Sequence, residues 1–210
     1  MNTGIQDAYN LGWKLESVLK GAPEELLDTY EEERLPVAAS VLGLSTKLHR
    51  QITGAGEEKM RRDAVTLQLG ITYKEMSLSQ SSGEVGLRLS SGDRAPDAPG
   101  VDAAGKPMRL FDAFRGPHFT LLRLFPGEGE AGGGVAKDIK VVDVVAADSP
   151  TSRRNTALTF VDAFGHVEAA YGGGRGEHLL VRPDGYIGWM GLPDRLSELP
   201  AYLARVSACR

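Results

Sequence analysis

The segment 77–100, with the sequence SLSQSSGEVGLRLSSGDRAPDAPG, divides the chain into two parts of different character. It is rich in serine, glycine and proline and has no helical periodicity, which is typical of a connection between domains. Apolar residues before it recur every three to four positions, whereas short apolar runs after it alternate with turn signals. We therefore predict a helical segment at 1–76, a linker at 77–92 and a mixed α/β domain at 93–210.

Three helices are expected before the linker. The first opens with a capping box that begins at Thr3, and it should stop at Gly21. The second should begin near Pro23 and be kinked or restarted by Pro36. A third is predicted to end near Gly70.

The second part of the sequence predicts a sheet with a few short helices. Strand signals occur at 118–125, 139–147 and 178–190, helices are expected at 151–160 and 165–171, and an amphipathic helix should run from Asp194 to about Val206. The tripeptide Pro183-Asp184-Gly185 lies between two apolar runs and predicts a hairpin turn. These elements indicate a small mixed α/β sheet.

Composition excludes several classes of protein. The 210 residues carry 24 basic and 28 acidic side chains, so a nucleic-acid-binding surface is not expected. No apolar run approaches the roughly 20 residues of a membrane span. The only cysteine is Cys209 and the four histidines lack metal-ligand spacing, so we predict no disulfide, no metal site and a cytoplasmic location.

Four stretches of the sequence resemble one enzyme family. MNTGIQDAYNLGWKLESVL, at the start of the chain, is similar to the helix that follows the flavin-binding signature of FAD-dependent aromatic monooxygenases of the para-hydroxybenzoate hydroxylase-like type. LLDTYEEERLPVAASVL resembles the next helix of that family. GDRAPDAPGVDAAGKPMRLFDAFRGPHFTLLR and LLVRPDGYIGWMG resemble its thioredoxin-like C-terminal domain.

The resemblance implies an α/β fold in which an N-terminal helical segment precedes a thioredoxin-like mixed α/β domain that lacks redox cysteines. It implies the C-terminal portion of an FAD-dependent hydroxylase of aromatic polyketides, as used in antibiotic biosynthesis, which is not catalytic on its own. A noncatalytic binding or assembly module and a peroxiredoxin-like redox protein are the alternatives. The redox alternative needs a thiolate after the first core strand, where the sequence has Phe125-Pro126-Gly127.

The cofactor contacts implied by the resemblance lie at the start of the first helix. Met1, Asn2, Thr3 and Gly4 occupy the turn whose backbone N–H groups would face the pyrimidine edge of the flavin ring. We expect no catalytic side chain in this sequence, and binding of FAD by this chain alone is not expected.

Two further features of the helical segment suggest contacts. Tyr30, Glu33 and Arg34 match a family pattern that would support the flavin domain, with Arg34 pairing an acid, although a run of glutamates is more often a solvated helix face. Five apolar side chains form a face on the first helix: Ile5, Tyr9, Trp13, Leu15 and Leu19. We expect this face to bind a second copy of the chain or a companion flavin-domain polypeptide.

Overall fold

A computed structural model describes residues 2–54, 70–127, 138–148, 158–173 and 176–207. The helical segment begins with α1 (Asn2–Leu19), continues through a single 3₁₀ turn (Glu24–Leu26), and is followed by α2 (Asp28–Gly54). The third helix, which the sequence predicts to end near Gly70, falls mainly on residues 55–69, which lie outside the described part of the chain.

The first helix ends where its sequence predicts. Gly21 has a positive φ of 106°. Its N–H bonds to the carbonyl of Val18, and the N–H of Ala22 bonds to the carbonyl of Ser17. These two bonds satisfy carbonyls that the helix leaves free, and they form a Schellman motif, which requires the left-handed conformation that glycine adopts without strain.

The second helix differs from its prediction at two positions. It begins at Asp28 rather than near Pro23, because residues 24–26 form the 3₁₀ turn. It also continues through Pro36, so the helix does not restart there, while a kink at Pro36 stays a prediction. A proline removes only one backbone donor, and the helix on either side of it supplies the remaining ladder.

The α/β domain is built on one eight-stranded sheet in the order β1-β8-β7-β4-β5-β6-β2-β3. The strands are β1 (Gln80–Ser82), β2 (Pro99–Asp102), β3 (Pro107–Arg109), β4 (Phe119–Leu124), β5 (Ile139–Ala146), β6 (Leu158–Asp162), β7 (His178–Val181) and β8 (Ile187–Gly191). Parallel strands β4, β5 and β6 form the centre, and β7 runs antiparallel to β4. The helices are α3 (Leu110–Phe114), α4 (His166–Tyr171) and α5 (Leu199–Val206), with a 3₁₀ turn at Pro193–Glu198 before α5.

Helices cover both faces of this sheet. One core contains α3 and α4 with Leu122 and Leu124 of β4, and the other contains α5 with Leu121 of the same strand. All six residues of β4 are buried, as expected for a central strand with both faces covered. The second core also takes in Trp13 of α1, so the helical segment packs on the α5 face of the sheet.

Most of the predicted strands and the hairpin are confirmed, and so are the helices at 165–171 and near Val206. Arg182 N–H bonds to the Tyr186 carbonyl across the predicted turn, where Gly185 has a φ of 83°. The expectation of a helix over 151–160 is wrong at its C-terminal end, because 158–162 form β6, and 151–157 lie outside the described residues. Aromatic and β-branched residues in β6 suit a buried strand between β5 and β2.

Segment 77–92, which the composition marks as a linker, also contributes to the sheet. Within it, β1 pairs in parallel with β8, with Gln80 opposite Trp189 and Ser82 opposite Gly191. The Ser82 hydroxyl accepts a bond from the indole N–H of Trp189. The position of the domain boundary stays a prediction.

We expect Gly188→Ala to destabilise the α/β domain by about 1–3 kcal/mol, the usual cost of overpacking a core. A Cβ at Gly188 would overlap the hydroxyl of Tyr202, which is buried and donates to the carbonyl of Leu78. Gly12→Ala is the matched control, because a Cβ at Gly12 of α1 meets no atom within 4 Å. Alanine there should raise stability by roughly 0.5–1 kcal/mol through its higher helix propensity. Urea unfolding of both variants measures this, and equal effects of the two substitutions would contradict the packing described here.

Candidate functional site

The first turn of α1 is the place that the sequence marks for a cofactor. The helix begins at Asn2, and the N–H groups of its first turn have no acceptor within the helix. A Cβ at Gly4 would meet no atom within 4 Å, so the backbone is open on that side. Thr3 is half-buried in the same turn. Met1 lies outside the described residues, and contact of these four residues with FAD stays a prediction.

A cavity of about 220 Å³ adjoins this end of α1. Its lining residues are Ile5, Gln6, Tyr9, Asn10, Tyr73, Arg94, Asp184 and Tyr186. Ile5 and Tyr9 are largely exposed, whereas Asn10 is buried. The buried oxygens Gln6 Oε1 and Asn10 Oδ1 have no hydrogen-bond partner in the described part of the chain.

Beside this cavity, four charged side chains are buried together. Arg182 donates through Nη1 and Nη2 to the two carboxylate oxygens of Glu33, at 2.5 and 2.9 Å. It also donates to both oxygens of Asp184, and Lys14 Nζ lies 2.9 Å from Glu33 Oε2. Side-chain exposures are 0–2% for all four. Two positive and two negative charges therefore balance inside the protein, as buried charges require.

Two more side chains of α1 join this cluster. Asn10 Nδ2 donates to Glu33 Oε2 at 2.7 Å and to Asp184 Oδ2 at 3.2 Å. The indole Nε1 of Trp13 donates to Asp184 Oδ2 at 3.1 Å. Asn10, Trp13 and Lys14 are spaced i, i+3 and i+4, so they lie on one side of the helix. That side of α1 is bound to the α/β domain, called the sheet domain from here on, by hydrogen bonds as well as by packing.

Aromatic rings surround the guanidinium of Arg182. Its Cζ lies 5.2 Å from the ring centre of Trp13, 5.5 Å from that of Tyr73 and 6.0 Å from that of Tyr186. Tyr73 and Tyr186 are themselves 4.3 Å apart. Cation–π contacts of this kind are strongest where water is excluded, so the rings help to hold a charge that would otherwise be costly to bury.

Pairing favours the charged forms of Glu33 and Arg182. Burial by itself would raise the pKa of Glu33, but the guanidinium of Arg182, aided by Lys14 and Asn10, lowers this pKa to about 2. Burial likewise opposes the charge of Arg182, yet Asp184 and Glu33 raise its pKa well above the usual value. Burial lowers the pKa of Lys14, against the opposing attraction of Glu33.

A second tie joins α1 to α2. Arg34 Nε donates to Asp7 Oδ1 at 2.7 Å, and its Nη1 donates to the Tyr73 hydroxyl at 2.9 Å. The expectation that Arg34 pairs an acid is confirmed. Glu33 departs from the solvated-face interpretation of the glutamate run, since it is fully buried while Glu31 and Glu32 are exposed.

Sequence reasoning missed most of this cluster. It named Glu33, and it named Trp13 and Asp184 only as part of an apolar face and a turn, but it did not name Asn10, Lys14 or Arg182. A lysine within the apolar stripe of α1 was the available signal, because such a position needs a buried acid. The prediction that Trp13 belongs to a partner-binding face is wrong: Trp13 is only 5% exposed and stacks edge-on against Phe119 of β4.

The described residues fit one part of FAD. The open first turn of α1 suits the edge of a flavin ring, since its N–H groups and the positive end of the helix favour developing negative charge. The unpartnered Gln6 oxygen marks an acceptor nearby.

A second buried polar group lies elsewhere on the sheet. Arg123 of β4 donates to both oxygens of Asp143 of β5, at 2.5 and 2.7 Å. In register beside them are His178 of β7 and Thr159 of β6. All four are at most 5% exposed. His178 Nδ1 has no hydrogen-bond partner within the described residues, and burial next to Arg123 lowers its pKa to about 4.

Redox and metal chemistry find no support in this part of the chain. Phe125 follows β4, with a φ of 47°, at the place where a redox thiol is required. Cys209 lies outside the described residues. His118 is half-buried against the carbonyl of Ala113 and His166 is exposed. Among residues that the structure describes, no three histidine, cysteine or acidic side chains are grouped as metal ligands.

No helix in the described part of the chain is long and apolar enough to cross a bilayer.

Comparisons with known proteins agree on one family. The family model described as FAD binding domain matches residues 1–45, and that described as aromatic-ring hydroxylase, C-terminal, matches residues 89–208. The chain is 43% identical to a "Flavin-dependent monooxygenase" of Mycobacteroides abscessus over 98% of this chain and 36% of that protein. It is 34% identical to an anhydrotetracycline monooxygenase of Streptomyces rimosus, over 92% of this chain and 37% of the relative.

Solved structures of hydroxylases share the fold. The OxyS anhydrotetracycline hydroxylase from Streptomyces rimosus is 30% identical with a TM-score of 0.60, covering 98% of this chain and 40% of that one. Aklavinone-11 hydroxylase, solved with FAD and aklavinone, is 25% identical with a TM-score of 0.68, over 98% of this chain and 39% of that one. The chain thus spans 36–40% of the length of these four proteins.

The buried histidine predicts a pH dependence of stability. Between the ordinary pKa of 6.5 and the folded value of about 4, the unfolded chain binds a proton on His178 that the folded chain does not. Stability contributed by His178 is therefore fully present above pH 6.5 and lost as the pH falls to 4. At ~1.36 kcal/mol per pKa unit, the loss is on the order of 3 kcal/mol.

Urea unfolding of the His178→Gln variant across this pH range measures the effect. Within this pH range, the unfolding free energy of His178→Gln should rise with pH less steeply than that of the parent. The difference in slope corresponds to up to about one bound proton, whatever the absolute stability of the variant. His166→Gln, which removes an exposed histidine of the same domain, is the matched control. Identical slopes in the parent and His178→Gln would show that His178 is not kept neutral by burial.

Proposed function

Because this chain belongs to the aromatic-ring hydroxylase C-terminal family, we propose that it forms the C-terminal part of an FAD-dependent hydroxylase of aromatic polyketides. The observation that carries the proposal is the order of the two family matches along the chain. The flavin-domain match covers α1 and most of α2, and the hydroxylase match covers the sheet domain except β1. The buried cluster around Arg182 joins these two parts into one structure.

In this proposal the chain contributes one side of the flavin site, the surface formed by the first turn of α1, which is called one wall of the site below. Bound FAD supplies the activation of O₂ from which one oxygen is inserted into the aromatic ring. The first turn of α1, which contains Thr3 and Gly4, would lie against the pyrimidine edge of the flavin. Its N–H groups and helix dipole stabilise negative charge there. The remaining flavin contacts and the hydroxylation itself need parts of the enzyme that correspond to other regions of the relatives.

The proposal also accounts for the exposed apolar side chains of the helices. Ile5 and Tyr9 are 63% and 64% exposed, and Leu19 is 87% exposed. Leu35 and Leu42 of α2 are exposed as well. We propose that this surface, called here the outer helical face, contacts flavin-domain polypeptide or a second copy of the chain. The location proposed for the protein is the cytoplasm, which suits a sequence whose only cysteine is Cys209.

We expect the isolated chain to bind FAD weakly and to be colourless after gel filtration. A chimera should behave differently. Replacing the matching C-terminal region of the 43% identical Mycobacteroides abscessus monooxygenase by this chain should give a yellow protein that keeps its absorbance near about 450 nm. The chimera supplies the flavin contacts that the first turn of α1 does not provide.

A chimera carrying Gly4→Trp is the matched variant for the flavin contact. Tryptophan at the open position should fill the space beside the first turn and reduce FAD retention, whereas Gly12→Trp, on an exposed part of the same helix, should not. A folded chimera that never retains FAD would refute the proposed function. Strong retention of FAD by the isolated chain would refute the view that this site is only one wall.

The outer helical face predicts association of the isolated chain. Burying apolar surface is worth roughly 25 cal/mol per Å², so several hundred Å² of contact would offset much of the cost of dimerisation. Light scattering across a concentration series should show the mass rising for the parent chain. The double variant Tyr9→Glu with Leu19→Glu should stay monomeric.

Phe164→Glu is the matched control, because Phe164 is an equally exposed aromatic residue on the sheet domain. It should associate like the parent. If the parent is monomeric at every concentration, or if both sets of variants behave alike, the outer helical face does not mediate self-association.

A further inference from the structure

The orientation of α1 depends on few contacts. Four of its large apolar side chains, Ile5, Tyr9, Leu15 and Leu19, are 43–87% exposed, whereas Leu11 is half-buried and Val18 packs against the core that contains α5. The buried side consists of Asn10, Trp13 and Lys14, with exposures of 1%, 5% and 0%. Each of these three residues contacts an acid of the cluster. The helix is therefore held to α2 and the sheet domain by directed hydrogen bonds to Glu33 and Asp184, together with the packing of Trp13 and Val18.

All of these bonds end on acids that Arg182 binds. Glu33 accepts hydrogen bonds from Asn10 and Lys14. Asp184 accepts hydrogen bonds from Asn10 and Trp13. Arg182 binds both carboxylates in bidentate fashion and is itself fully buried. A guanidinium holds two carboxylates in fixed planes, which a lysine ammonium cannot do. The places of the acceptors for α1 are thus set by a single side chain of the turn after β7.

A small change in the angle of α1 at this cluster produces a larger displacement at the first turn of the helix. Asn10 is eight residues from Asn2, which corresponds to about 12 Å along the helix axis. A tilt of about 10° at Asn10 therefore moves the first turn by about 2 Å. Displacements of this size at a reacting centre reduce enzyme rates strongly. Arg34 adds a second restraint at this end of α1, because it bonds to Asp7 and also to the hydroxyl of Tyr73, whose ring packs on Tyr186.

The geometry points to Arg182 as a positioning residue: from the thioredoxin-like domain, and through Glu33 and Asp184, it sets the angle of α1 and so the place of the helix end that faces the flavin. This inference rests on the proposed function for its consequence for the flavin. The orientation of α1 itself can be measured without any cofactor.

The test measures residual dipolar couplings of backbone N–H groups in the weakly aligned, ¹⁵N-labelled chain. In the parent, the couplings of α1 and of strands β4 to β8 should fit a single alignment tensor. In Arg182→Lys, the strand couplings should still fit, and those of α1 should depart from the parent orientation or shrink through averaging. A role in overall stability alone would leave the couplings of a folded variant unchanged.

Arg123→Lys is the matched control. Arg123 also binds its acid in bidentate fashion and is also buried in the sheet, but its partner is Asp143 and not a residue bound to α1. We expect its α1 and strand couplings to fit one tensor as in the parent. An α1 that keeps the parent orientation in folded Arg182→Lys, or one that departs equally in Arg123→Lys, overturns the inference.

Asn10→Ala extends the test if Arg182→Lys does not fold. This variant removes one of the three donors of α1, the amide that bonds to both Glu33 and Asp184, and leaves the Arg182 pairs in place. The couplings of α1 should again depart from the strand tensor, and an unchanged orientation would overturn the inference. Failure of the chimera to hold FAD would refute the proposed function and would leave the result for α1 standing.

Discussion

The ion pairs of Arg182 with Glu33 and Asp184 are the contacts on which the rest of the arrangement depends. Placing four charges at 0–2% exposure removes them from water, and only mutual pairing offsets that cost. Removing one partner of such a group leaves an uncompensated charge, which costs about 3–5 kcal/mol. The helical segment and the sheet domain share this cluster, so neither can shift without breaking it. A flavin-domain helix and a hydroxylase C-terminal domain are thereby tied into one body.

Sequence patterns predicted the features that depend on neighbouring residues. Gly21 ends α1 and Pro183-Asp184-Gly185 turns the chain, because each needs only the local backbone conformation that its residue types favour. The strand β6 was missed, since a five-residue segment takes its form from β5 and β2 on either side. The start of α2 was misplaced because a 3₁₀ turn and an α-helix share the same opening signals.

The candidate site also has one part that the sequence predicts and another part that it does not. The sequence locates the first turn of α1, but its predicted capping box is wrong, because the helix begins before Thr3 and Gln6 Oε1 has no partner among the described residues. The exposure of Tyr9 follows from its place on the helix. The partner of Glu33 could not be found like this, because Arg182 is 149 residues away in the sequence. Such a pair leaves only an indirect trace: a lysine in an apolar stripe and an acid in a helix that also carries buried residues.

The thioredoxin-like sheet takes a different role here from the one its fold suggests. After β4, where redox chemistry would need a thiol, the chain has Phe125, and the polar side chains of that sheet are instead a closed row around Arg123 and Asp143. The hairpin after β7 carries Arg182 and Asp184 to α1. A turn between two paired strands is a rigid place from which to hold a helix. In a hydroxylase the sheet would then act by supporting the wall of the flavin site, and the chemistry would be left to the cofactor.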